Sequence, residues 1–279
     1  MRVDFLGVRG STPAPGAAFV RHGGNTSCVA ITADGDPGPT LVLDAGTGLR
    51  GLGTLLPDGA FRGTILLTHL HWDHTHGLPF SRAIDNDDAV VDMFLPAQGA
   101  DPEHVLEGMM QPPHFPIRPS ELRGSLTIRS IEEGEHRIGA FTVLAREIPH
   151  KGGRTFGYRV SDGHAAIAYL PDHGPVALGP GDDGFGPLPP AALALVADVD
   201  VLLHDGQHSA TEFPAVSTFG HSAVDYAARL AEKAGARRLV LFHHDPSRTD
   251  DAEDALVTDL AATTNVPVES AHEGDSIVL

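Results

Sequence analysis

Thr68-His69-Leu70-His71-Trp72-Asp73-His74 directly follows the apolar run Ile65–Leu67, and no other stretch constrains the chain as tightly. Four metal-type side chains fall within six residues, which chance rarely gives. Along an extended segment side chains repeat every second residue, so His69 and His71 point the same way and can reach one ion. Asp73 and His74 come where the chain must turn and can address a second ion nearby. Imidazoles and a carboxylate suit Zn²⁺, Mn²⁺ or Fe²⁺. The competing use of such residues is a polar, hydrogen-bonded turn. Two ions need more ligands than this cluster supplies, so the fold must bring other strand ends here. Three fit: His150 ends Glu147-Ile148-Pro149-His150, Asp172 follows Ala168–Leu170 and Pro171, and His243 follows Leu239–Phe242.

The rest of the chain reads as a globular protein. Apolar runs closed by Gly, Asp or His recur at Val3–Leu6, Cys28–Thr32, Leu41–Leu43, Ile65–Thr68, Val90–Leu95 and Leu126–Ile131. They continue at Phe141–Ala145, Phe156–Val160, Ala165–Leu170, Val201–Leu203 and Leu239–Phe242, and all predict strands. Helical periodicity is clearest over His221–Ala234, with Gly235 as a stop. Pro102–Met110, Pro190–Ala197 and Asp251–Ala262 are further helix candidates. Strands and helices do not alternate strictly, which argues against a simple parallel α/β sheet. No linker divides the chain, so one domain over 1–279 is expected. The proline-rich loop Gln111–Pro119 sits in an insert, Ala83–Ile138, expected to shape a pocket.

Charge and cysteine content narrow the function. The formal net charge is −18, which disfavours extended nucleic-acid contact. The lone Cys28 allows no intrachain disulfide. No run approaches the ~18 apolar residues of a membrane span. The opening segment lacks a signal peptide's apolar core, so a cytoplasmic protein is expected. Seventeen histidines is a high count, and several sit beside aspartates at the ends of apolar runs.

The chain resembles the metallo-β-lactamase superfamily of hydrolases. The resemblance runs through Gly7–Pro15, Asn25-Thr26-Ser27, Leu43–Gly48, the histidine cluster, His150, Asp172 and His243. Phe156-Gly157-Tyr158-Arg159 and Gly220-His221-Ser222 are similar to the branch of tRNA 3′-processing endonucleases (RNase Z) and related phosphodiesterases. The resemblance implies an α+β fold, a four-layer αββα sandwich with metals at one edge. It implies that His69, His71 and His150 hold one ion, that Asp73, His74 and His243 hold the other, and that Asp172 bridges them. Two divalent ions, zinc first and manganese or iron as alternatives, would share a hydroxide nucleophile. His244 is the alternative to His243, which ends its strand directly. His221 would contact the scissile phosphate or leaving group, supported by Asp205, where the branch usually has Glu. Asp73, His221 and Asp205 are thus the candidate catalytic groups. A homodimer is common in that branch.

The function expected is a two-metal phosphodiesterase acting on a small nucleotide or similar phosphodiester. A lactone, thioester or β-lactam hydrolase on the same site, or a tRNA 3′-processing endonuclease, are the alternatives. The resembled tRNA enzymes carry a protruding arm, for which Gly179–Pro190 is too short. Asp44 reads as an orienter of the histidine ligands. The Gly7–Pro13 turn reads as structural, with a substrate wall as the other option. Trp72 reads as packing rather than substrate stacking. His76 and His173 lie close enough to the site to contact substrate.

Overall fold

The computed structural model describes all residues, 1–279. The strands are β1 (Arg2–Gly7), β2 (Cys28–Thr32), β3 (Leu41–Leu43), β4 (Arg62–Leu66), β5 (Val90–Pro96), β6 (Ser125–Ile131) and β7 (Gly134–Ile138). They continue as β8 (Phe141–Ile148), β9 (Thr155–Ser161), β10 (Ala166–Leu170), β11 (Val201–Asp205), β12 (Leu239–Phe242), β13 (Val268–Ser270) and β14 (Ser276–Val278). The α-helices are α1 (Pro102–Glu107), α2 (Pro190–Val196), α3 (Phe213–Val216), α4 (Val224–Ala234) and α5 (Asp250–Ala261). One mixed sheet runs β14-β1-β2-β3-β4-β5-β6 and the other β13-β12-β11-β10-β9-β8-β7.

Strand alternation explains the layering. In β2, Val29 and Ile31 face the inner core while Cys28 and Ala30 face the outer one. In β10, Ile167 and Tyr169 point inward, and Ala166, Ala168 and Leu170 point outward. Strands apolar on both faces need cover on both sides, which is why they read as continuous apolar runs. The inner core joins the sheets through Phe5, Leu43, Phe156, Tyr158, Tyr169 and Phe242. Outside the second sheet lie α2, α4 and α5. Outside the first lie α1 and the 3-10 segment Thr47–Leu55. The chain is an α+β sandwich of four layers, though one outer layer is mostly 3-10 helix and loop.

Several element boundaries differ from the sequence expectation. Strand β4 stops at Leu66, because Thr68 turns out to bond Asp44. Helix α4 starts at Val224, so His221 lies on the loop before it. Helix α1 ends at Glu107. β7, β13 and β14 had no readable pattern: β7 alternates polar residues at an edge, and the other two span three residues each. Backbone pairing to a neighbouring strand, not apolar period, recruits them.

Candidate metal centre

Five strands deliver their C-terminal ends to one edge of the sandwich. β4 leads to His69–His74, β8 to His150, β10 to Asp172, β11 to Asp205 and β12 to His243. Strands β10, β11 and β12 are parallel neighbours, so their ends emerge side by side. Contacts across the sandwich fix the histidine segment. The Tyr158 hydroxyl donates to Leu67 O at 2.7 Å, and Phe156 N–H donates to Thr68 O at 2.8 Å. This gives a physical role to the Phe156–Arg159 motif.

The seven expected metal residues converge. The donor atoms of His69, His71, His150 and Asp172 lie within 4.8 Å of one another, and so do those of Asp73, His74, Asp172 and His243. Asp172 belongs to both groups. Its Oδ1 is 3.5 Å from His150 Nε2, while its Oδ2 is 2.9 Å from His74 Nε2 and 3.3 Å from His243 Nε2. The 3-10 turn Trp72–His74 buries Asp73 and His74 and places their donor atoms in the second group, although the His69 and His74 rings stay 4.2 Å apart.

Two outward imidazole nitrogens are tied to acceptors. His74 Nδ1–H donates to Asp44 Oδ2 at 2.8 Å, and His150 Nδ1–H donates to Gly220 O at 2.6 Å. A carbonyl or carboxylate only accepts, so in each neutral ring the inward Nε2 atom presents a lone pair. Those lone pairs face other imidazole nitrogens: His74 Nε2 is 3.3 Å from His243 Nε2, and His150 Nε2 is 3.3 Å from His71 Nδ1. His69 Nε2 is buried with no hydrogen-bond partner. Burial pushes His69 well below the ordinary imidazole range and lowers His71 and His150 too, keeping them neutral. Burial also opposes charge on His74, but the Asp172, Asp73 and Asp44 carboxylates outweigh it and raise its pKa. Converging lone pairs in a field that favours positive charge fit divalent cations.

Supporting residues complete the site. Asp44 is fully buried at φ 61° and accepts from Thr68 N, Thr68 Oγ1, His74 Nδ1 and Tyr169 OH. It acts as the expected orienter; Thr68 and Tyr169 carried no sequence signal of their own. Ser11 N–H donates to Asp73 Oδ2 at 2.7 Å, so the Gly7–Pro13 turn both supports a site carboxylate and walls the cavity. Gly10 is required there, since a Cβ would meet His243 Nδ1 at 2.3 Å. His244 turns away, 3.0 Å from Glu253 Oε1 and 2.9 Å from Ala271 O, leaving His243 at the centre.

Asp205 reaches His221 despite being shorter than Glu. Its Oδ2 accepts from His221 Nδ1 at 3.0 Å, and also from Ser222 N and His173 N. Burial opposes charge on His221, but the Asp205 carboxylate outweighs it and raises the pKa to about 9. His221 lines a cavity of about 410 Å³ together with Ser11, Leu70, His71, Trp72, Asp73, His150, Asp172 and Phe219.

Three expectations fail. Trp72 is 68% exposed on the cavity rim, because the turn that buries Asp73 and His74 throws the residue before them outward. His173 is buried against His204 and Tyr226, and it supports Asp205 rather than meeting solvent. No residue of Ala83–Ile138 lines the cavity; Phe115 and Ile117 pack over the first sheet's outer core instead. His76 lies flat against Trp72, with ring centroids 5.5 Å apart.

Comparison with known proteins agrees with this geometry. Residues 40–244 match the family described as "Beta-lactamase superfamily domain". The chain belongs to the metallo-β-lactamase superfamily and is a metal-dependent hydrolase. Within it, the chain stands near the ribonuclease Z branch. It is 26% identical to Ribonuclease Z of Geobacillus kaustophilus, over 87% of this chain and 88% of that one. In structure it is similar to the metallo-β-lactamase fold protein YhfI from Bacillus subtilis, with TM-score 0.74, 18% identity and coverage of 99% and 98%. It is also similar to Zn²⁺-bound PqqB from Methylobacterium extorquens, with TM-score 0.72, 15% identity and full coverage of both, 100% each. With a relative named as a ribonuclease, the charge-based expectation against extended nucleic acid finds no support. No helix is long and apolar enough to cross a membrane.

Proposed function

We propose that the chain is a two-metal phosphodiesterase acting on a small phosphodiester such as a nucleotide, with residues 1–279 working as one domain. His69, His71 and His150 would hold one divalent ion, Asp73, His74 and His243 the other, and Asp172 would be shared between them. Zinc suits this donor set of imidazoles and carboxylates. When bound, the ions supply Lewis acidity and activate water at neutral pH.

The protein's own groups do the rest. Asp44, Gly220 O and Ser11 N–H orient His74, His150 and Asp73. Asp205 holds His221 protonated at the cavity wall. His221 balances phosphate charge and passes a proton to the leaving oxygen. The observation that carries this reading is the 3.0 Å His221–Asp205 pair beside the Asp172-centred double cluster. Acyl hydrolysis has less need of a cationic proton donor at that place.

A second reading is ribonuclease action, supported by the names of relatives that align over most of the chain. A substrate panel separates the options: bis(p-nitrophenyl) phosphate, a lactone series, nitrocefin and a 3′-extended tRNA transcript. Faster turnover of a lactone or nitrocefin than of any phosphodiester would overturn the phosphodiesterase reading. Efficient cleavage of the transcript would move the assignment to a ribonuclease.

A further inference from the structure

The floor of the cavity is polar, but its rim is aromatic. Trp72 is 68% exposed and Phe219 58% exposed, and both line the cavity that holds His71, Asp73, His150 and His221. Among phenylalanine, tyrosine and tryptophan side chains only one other, Phe80, is as open to solvent, and its ring edge rests on Phe115 outside this cavity. Trp72 has one face backed by the nearly parallel imidazole of His76, at 14°. Exposed aromatic rings at the mouth of a polar cavity offer platforms on which a base can stack.

The backbone fixes how close that something must lie to the reacting bond. Trp72 sits between His71 and Asp73 in a buried turn. Phe219 precedes Gly220, whose carbonyl holds His150, and Gly220 is followed by His221. Gly220 has φ 102°, and a Cβ there would come within 3.0 Å of His150 Nδ1, so this loop has little room to shift. Trp72 therefore hangs one residue, about 3.8 Å of chain, from His71 and Asp73, and Phe219 hangs two residues from His221. A group stacked on these rings belongs to the same ester as the phosphate on the floor.

We propose that Trp72 and Phe219 form a stacking subsite for a nucleobase carried by the phosphodiester substrate. A flat ring with a π-face on each side matches two aromatic side chains, and a phosphate would match the floor once divalent ions are held beside His221. The proposal rests on the phosphodiesterase reading for its chemistry, but base stacking can be read without turnover. Trp72 is the only tryptophan of the chain, so its fluorescence reports on this subsite alone.

The test titrates metal-loaded protein with adenosine 5′-monophosphate and with ribose 5-phosphate while Trp72 emission is followed. The adenosine ligand should quench saturably and the sugar phosphate should not. Phe219→Ala should weaken the adenosine ligand about tenfold, in line with stacking energies from alanine substitution. A kinetic arm compares the methyl esters of the same two phosphates by ³¹P NMR. The ratio of kcat/KM values, adenosine over ribose, should fall about tenfold in Trp72→Ala and in Phe219→Ala. Val90→Ser, on an exposed strand residue elsewhere, should leave that ratio alone. A 3′-extended tRNA transcript in parallel tells a free nucleotide from an RNA end, and either source should lose rate in Phe219→Ala. Equal quenching by both ligands, or equal loss on both esters, would overturn the subsite. If neither ester is cleaved while adenosine still quenches, the subsite stands and the phosphodiesterase reading falls. If Phe219→Ala changes only self-association, the rim is a contact between two copies and the subsite is wrong.

Discussion

Asp172 and Asp44 show how much one carboxylate can decide. Asp172 is shared by both donor groups, and burial alone would raise its pKa; the surrounding His243, His74 and His69 hold it well below the usual carboxylate range. Asp172→Ala should cut bound metal, measured by elemental analysis, and lower hydrolysis by about 10³-fold or more. Asp44→Asn replaces an acceptor with an amide facing the His74 Nδ1–H. Metal affinity should fall about 10–100-fold, read by competition with a chromogenic chelator. His221 is engaged differently. With its pKa raised, the protonated form that donates is lost as pH rises through about 9. Asp205→Asn removes the charge that raises it, so the alkaline limb of the pH–rate profile should move to lower pH, with metal content retained. An unmoved limb would remove His221 from the chemistry.

At the scale of elements, stability rests on a few sharp local features. Helix α4 ends at Gly235, which has φ 75° and whose Cβ would meet Asp198 Oδ1 at 2.7 Å. Gly235→Ala should cost about 1 kcal/mol in a urea titration, the usual cost of a side chain at a left-handed helix end. Helix α5 carries Glu253, fully buried between His244, Arg248 and Ser270. Burial works to raise the Glu253 pKa, but His244 and Arg248 outweigh it and depress it below the ordinary 4.5. A depressed acid stabilises the fold above its unfolded pKa and loses that contribution as pH falls through the folded one. Glu253→Ala should therefore cost about 3–5 kcal/mol at pH 7. The gap from the parent protein should narrow below about pH 4.5, as followed by denaturation at several pH values.

For the whole molecule, the site is a seam. Its donors come from strands of both sheets, and they meet only when the inner core has packed the sheets together. Bound ions should then stabilise the folded chain by mass action, by about 4 kcal/mol at 1,000 times Kd. Calorimetry with and without EDTA should show a higher Tm for the loaded protein. Equal Tm values would mean that the converging histidines hold no ion.

The His69–His74 cluster, the strand-end positions of His150, Asp172 and His243, and most buried strands were legible in the sequence. Alternation and ligand spacing are local properties that a linear chain displays. The division into two donor groups and the pairing of Asp205 with His221 were expected from the family resemblance, but the retreat of His244 into its own pair with Glu253 and the burial of His173 against His204 were not. Each depends on which way a backbone turns at a single residue, such as His243 at φ 58°. The exposure of Trp72 was decided in the same way. Its neighbours' spacing put metal-type residues on either side of it, but only the packed turn determined which side chains went in and which was left in water.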